Sequence, residues 1–302
     1  MKQVIVIILA ILVLNILHPA YATAQERISL ADRVKQLQLD STYTGVWVYY
    51  SEGHELRAAS LGEKFAASNA FYSRQMGIEV DIIVALLDTV DYQRISPVFP
   101  YGLPFISGRV AVMPADRSTG AVRDMYLPFE STVSDKIRSD LRANGYTYRE
   151  AVDLMIDLIG LHEIGHSQIW AYNLDTRQPW FNEFMASYFG YAWMRSEEPA
   201  LATIWDRITQ AGVEGYTPTN HRLDVLNELY AGVGVGDYGW YQNVFQNRIK
   251  EVYDLAGLDF IRLVQIRLAD NNFQPATATE LLQVLEEIEP GFLAWASRYR
   301  LE

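Results

Sequence analysis

A chain of 302 residues with 37 acidic and 25 basic side chains carries a formal charge of −12. Nucleic acid and anionic membrane both demand a basic footprint, so this balance excludes them as principal partners. Half of the residues are hydrophobic and 21% are charged, which is the ordinary make-up of a globular chain large enough to bury a substantial core.

The chain opens "MKQVIVIILAILVLNILHPAYATAQER", the layout of a secretory signal. Lys2 is a short positive region, Val4 to Leu17 is an apolar run, and Ala22 and Ala24 supply an A-x-A cleavage site. The run is shorter than the ~20 residues of a membrane span. The expectation is a signal peptide over 1–24, a mature chain from Gln25 and a secreted or periplasmic protein with no stable membrane anchor. Removing Lys2 takes the formal charge to −13 (24 basic against 37 acidic residues). The absence of cysteine excludes a lipoprotein anchor, and a chain of this size has core enough to do without disulfides.

Thr42–Ser51, "TYTGVWVYYS", is β-branched and aromatic and predicts a strand. His54–Gly77 has apolar residues at helical spacing and ends on glycine, so it predicts a helix. Ile78–Thr89 predicts a second strand. Asp91–Gly108, with three prolines and two glycines, reads as an ordered loop, and Arg109–Pro114 as a short strand stopped by its proline. Helices follow over Ser131–Gly145, over Thr147–Asn173 with the capping-box pair Thr147 and Glu150, and over Gln178–Ser196 with Pro179 in the first turn. Four or five shorter helical patterns run from Pro199 to Arg300, with Trp240, Tyr241, Phe245, Tyr253, Phe260, Phe273, Phe292 and Trp295 as core. The fold class is therefore α+β, a small mixed sheet followed by a mainly helical lobe. The natural division is 25–196 and 197–302, with hinge candidates at Asp175–Pro179 and Glu214–Asn220.

Two of the five histidines fall in "LIGLHEIGHSQIW", Leu158–Trp170. On a helix, His162 and His166 project from one face a turn apart, an arrangement that binds a divalent ion and suits zinc. Glu163 lies 100° round from His162, bordering the site without ligating, where a general base belongs. The segment is apolar nearly all round. Burying two histidines and a glutamate there without partners is costly, and a metal removes that difficulty. Asp153 and Asp157 fall on other faces of the helix and read as solvated or cap-region charges. Ser167 beside His166 lacks the G-x-S-x-G elbow of a hydrolase nucleophile.

A catalytic zinc takes three protein ligands. The extended motif with a third histidine six residues on fails, because its positions hold Ile169 and Tyr172. His54 and His221 sit in polar surroundings. A carboxylate from the next helix remains, with Asp175, Glu183, Glu197 and Glu198 as candidates. Asp175 is in the intervening loop, and Glu197 and Glu198 are at the far helix end. Glu183, in "WFNEFMASYFGY", has Ala186 and Gly190 on its own face, small enough for close approach to the histidine helix. Gly160 and Gly165 offer the same on the other side. Glu183 is therefore the expected third ligand.

"HEIGH" followed by "WFNEFMASYFGY" resembles the gluzincin metallopeptidases, the thermolysin and aminopeptidase N-like group, and most of all its short peptidase MA-like members. Asn182, Glu183 and Ala186 match that family's N-E-x-x-A-like turn. The 17-residue step from His166 to Glu183 is a little shorter than in the best-known members and implies a tight interhelical loop. The similarity is specific over Ala151–Tyr191, loose over Val48–Pro114 and faint over the last third. It implies a zincin-like fold with an edge strand above the zinc helix, and "SGRVAVMP" is the candidate by chain order. It also implies a downstream tyrosine or histidine that stabilises the oxyanion. Tyr241, about a helix length before Gly257, is the first choice, with Tyr238 and His221 as alternatives.

The resulting expectation is a zinc metallopeptidase acting on peptides or proteins. His162, His166 and Glu183 would hold one zinc ion, Glu163 would act as general base on the activated water, and Tyr241 would donate to the oxyanion. The missing G-x-M-E-N motif leans toward endopeptidase cleavage. A non-catalytic zinc-stabilised binding module and a hydrolase of the same fold acting on a non-protein substrate are the rival readings.

Overall fold

The fold is taken from a computed structural model, which describes residues 29–269, 275 and 277–301. The expected signal segment and Phe273 lie outside the described residues. Helix α1 (Leu30–Gln36) leads into a hairpin of β1 (Asp40–Tyr43) and β2 (Trp47–Tyr50). The single strand expected over Thr42–Ser51 is broken by Gly45, whose φ of 101° turns the chain back. Helix α2 (Glu55–Met76) keeps its expected span and ends where Gly77 adopts a left-handed cap at φ 67°. Strand β3 (Ile83–Leu87) is buried on both faces, so it reads as a continuous apolar run rather than an alternation.

The stretch expected as loop holds most of α3 (Thr89–Ile95) and all of β4 (Phe105–Ser107). Asp88 caps α3 by accepting from the Asp91 N–H at 2.9 Å, and three residues of β4 are too few to show a period. β4 turns at Gly108 (φ 58°) into β5 (Val110–Pro114). The strand order is β1-β2-β3-β5-β4, with β2, β3 and β5 mutually parallel and the outer pairs antiparallel. β5 is therefore interior. This corrects the expectation that Arg109–Met113 is the edge strand, because β4 pairs along its free side.

Alternate residues of β3 feed two cores. Ile83, Ala85 and Leu87 pack with α1 and α3, while Val84 and Leu86 join a larger cluster that continues from Val46 to Leu301. That larger core takes in α4 (Ala121–Tyr126), α5 (Asp135–Ala143), α6 (Tyr148–Ala171), α7 (Pro179–Glu197), α8 (Pro199–Gly215), α9 (Leu223–Leu229), α10 (Val235–Ala256), α11 (Asp259–Ala269), α12 (Ala278–Ile288) and α13 (Phe292–Tyr299). The described part after Pro199 thus carries six helices, two of them long. Both halves of the Thr147–Glu150 capping box on α6 form, and Pro179 opens α7. Among the described residues no helix is long and apolar enough to cross a membrane.

Asp157 departs from its expected surface role. It is 2% exposed and lies 3.0 Å from Arg57 Nη1, with Arg117 as a second cation partner. The pair ties α6 to α2 and to the loop after β5, so this charge is structural.

Candidate metal centre

Helix α6 places His162 and His166 with ring centroids 4.8 Å apart and planes nearly perpendicular. Glu183 arrives from the first turns of α7, where it is 1% exposed. Small residues set the approach of the two helices. A Cβ on Gly165 would meet the Ala186 Cα at 2.8 Å, and one on Gly190 would meet the His162 backbone nitrogen at 3.2 Å. Gly160 instead faces Met113 and Phe65, away from α7.

The loop between α6 and α7 is held by Asn182. Its Oδ1 accepts from the Thr176 backbone N–H at 3.1 Å, and its Nδ2 donates to Asp175 Oδ1 at 2.7 Å and to the Thr176 carbonyl at 3.0 Å. The residue before the ligand is therefore the clamp that delivers it.

With the helices so placed, ligand atoms of His162, His166 and Glu183 lie within 4.8 Å of one another. His162 Nε2 stands 3.2 Å from Glu183 Oε2, and His166 Nε2 stands 3.6 Å from Oε1. The opposite nitrogen of His162, Nδ1, lies 2.8 Å from Ser187 Oγ, one turn beyond Glu183 on α7. That contact fixes the ring with Nε2 toward the carboxylate, as outer partners of metal-binding histidines do.

Glu183 also accepts from Tyr238 at 2.8 Å and from Gln242 at 2.7 Å, neighbours at i and i+4 on α10, and from Tyr230 in the turn before that helix. Tyr230 is one of four described non-glycine residues with positive φ, at 48°. Of the residues expected from the sequence, His162, His166, Glu163 and Glu183 come together. Tyr241 does not join them. It is fully buried, turned to another face of α10, and donates to the Arg222 carbonyl at 2.8 Å. Tyr238, the near alternative, does reach the cluster. Ser187, Tyr230 and Gln242 escaped the sequence reading. The i, i+4 spacing of Tyr238 and Gln242 was visible, but the ligand they serve lies more than fifty residues away.

Burial opposes charge on every group here, and the protein's own partners overcome it at Glu183 and His162 but not at His166 or Glu163. Glu183 is held well below the usual carboxylate range, because the two imidazoles and the Tyr230 hydrogen bond outweigh its burial. His162 is raised despite burial by its contact with Glu183, whereas burial lowers His166 to about 4. Burial pushes Glu163 up to about 8, against the opposing pull of His162 and of the nearby Ile106 backbone. Ile106 is the middle residue of β4, so Glu163 stands between the ligand cluster and the free edge of the sheet. Its side chain keeps 12% exposure, and its Oε1 is 4.0 Å from His162 Nε2.

Two imidazoles and one carboxylate, buried, convergent and faced by oriented outer partners, can hold a divalent metal ion. A cleft of about 280 Å³ opens on the His166 and Glu183 side of the cluster, bounded also by Trp170, Asp175, Asn182 and Tyr230. No family of known proteins, no curated protein and no solved structure matches the chain.

Proposed function

We propose that the chain is an exported zinc metallopeptidase of the gluzincin kind, with a zincin-like arrangement of edge strand and ligand helix. The observation that carries this reading is the convergence of His162, His166 and Glu183 beside a carboxylate, Glu163, that borders the cluster without belonging to it. A His₂Glu set is the ligand choice of zinc hydrolases. A zinc ion held there supplies Lewis acidity, lowering the pKa of water toward neutrality and polarising a carbonyl oxygen.

The remaining work falls to the chain's own groups. The Glu163 carboxylate accepts a proton from the attacking water and returns it to the departing amine nitrogen. Glu163 lies beside Ile106 of β4, whose free edge can pair with an extended peptide by backbone hydrogen bonds. Tyr230, which lines the cleft and whose hydroxyl lies beside Glu183, would replace Tyr241 by turning its proton from Glu183 to the oxyanion. Tyr238 and Gln242 keep Glu183 ionised and oriented.

The test uses purified protein. Bound metal is measured by mass spectrometry, then cleavage of a mixed peptide library is followed with and without chelator and with Glu163→Gln. Stoichiometric zinc with chelator-sensitive cleavage that Glu163→Gln abolishes supports the reading. Zinc retained with no cleavage by the unmutated protein points instead to a metal-stabilised binding module, and cleavage that survives His162→Ala overturns the ligand assignment.

A further inference from the structure

We infer that the cleft beside the ligand cluster selects a basic side chain, that of lysine or arginine, in the residue next to the reacting carbonyl. This rests on the peptidase reading and adds its substrate class. One wall is the indole of Trp170, 48% exposed, one turn beyond His166 on α6 with ring centroids 6.5 Å apart. The same cleft is lined by Asp175, an exposed carboxylate whose Oδ1 is held by Asn182 Nδ2 at 2.7 Å. His166, Glu183 and Tyr230 line it as well. Among the described residues no lysine or arginine lines the cleft.

A volume of about 280 Å³ accommodates one long side chain and little more. The occupant must pass along an aromatic face and end near a fixed carboxylate. A methylene stem with a cationic head satisfies both, through cation–π contact with Trp170 and an ion pair with Asp175. An acidic side chain would meet Asp175 as a like charge, and a purely apolar one would gain nothing from it. The formal charge of −12 adds long-range attraction in the same sense.

The test is a binding measurement that does not depend on turnover. Zinc-loaded full-length protein carrying Glu163→Gln is titrated calorimetrically with an N-acetylated, C-amidated hexapeptide bearing one central lysine, and with its norleucine counterpart. A partly exposed cation–π contact and an exposed ion pair together predict that the lysine peptide binds about fivefold tighter, with the advantage shrinking in high salt. Adding Asp175→Asn, which keeps an acceptor for Asn182, should bring the lysine-to-norleucine ratio close to one, and adding Trp170→Ala should lower it.

Equal or tighter binding of norleucine, a lysine advantage that survives Asp175→Asn, or no binding of either peptide overturns the inference. A preference that appears only in peptides with a free amino terminus overturns it too, since the cleft would then recognise the terminal amine. The peptidase reading fails separately, when the unmutated protein cleaves no member of the library.

Discussion

Gly165→Ala tests whether helix proximity, rather than the motif, makes the candidate metal centre. A Cβ at this position would sit 2.8 Å from the Ala186 Cα and 2.9 Å from its carbonyl carbon. Ordinary carbon contacts are about 3.5–4.0 Å, so α6 and α7 must separate by about 1 Å. The obstacle is backbone, with no flexible side chain to swing aside, which places the destabilisation at the upper end of the overpacking range, about 3 kcal/mol. At about 2 °C per kcal/mol for a chain of this size, the melting temperature should fall by about 6 °C. The same separation pulls Glu183 from the two histidines. Metal–ligand distances tolerate about 0.2 Å, so zinc affinity should fall at least about tenfold. Thermal melts and competition against a chromophoric chelator measure the two effects. Gly160→Ala is the control. Its added Cβ would meet the ends of Met113 and Phe65 on the opposite side of α6, so it should cost about 1 kcal/mol and leave zinc affinity in place. Wild-type zinc affinity in Gly165→Ala, or equal loss in both variants, would show that the approach of α6 to α7 does not set the site.

Tyr230→Phe should lower kcat about a hundredfold with KM little changed, while Tyr241→Phe should leave kcat within about twofold; the reverse pattern in peptide kinetics would restore Tyr241 to the site. Asp157→Ala leaves the Arg57 guanidinium buried without its main partner and should destabilise the fold by about 3 kcal/mol in urea titration, a value near zero showing that the pair is solvated after all. Asp206 is raised above the ordinary aspartate value by burial, against hydrogen bonds from Gln246 and Tyr191. The folded state therefore holds that proton more tightly than the unfolded chain. Its contribution is complete below the unfolded pKa and is lost as pH rises through the folded one, so Asp206→Asn should gain melting temperature relative to wild type as pH is raised from about 4. A constant or shrinking difference over that rise would refute this sign.

Local signals written in few residues survived folding unchanged. The Thr147–Glu150 box, Pro179 at the first turn of α7 and Gly77 at the end of α2 act within one helical turn, and each appears where its chemistry predicts. The candidate ligand set was legible for the same reason. His162 and His166 are fixed by helical period alone, and Glu183 by the small residues Ala186 and Gly190 on its own face. Turns and short strands leave weaker signals: Gly45 sits inside a run that looks like one strand, and the three residues of β4 carry no period.

Order within the sheet, and with it the exchange of β5 for β4 at the edge, depends on pairings that no local pattern encodes. The same holds for the groups that surround the ligands. By itself the sequence determined which residues have the chemistry to hold a metal and the elements that carry them, since propensity, capping and periodicity act over a few residues. Tertiary structure alone decided that Tyr230, Tyr238, Gln242 and Ser187 serve that site while Tyr241 turns to the Arg222 carbonyl. A rotation of 100° per residue points neighbours on one helix to different partners, and which face meets Glu183 is settled only when α10 packs against α7.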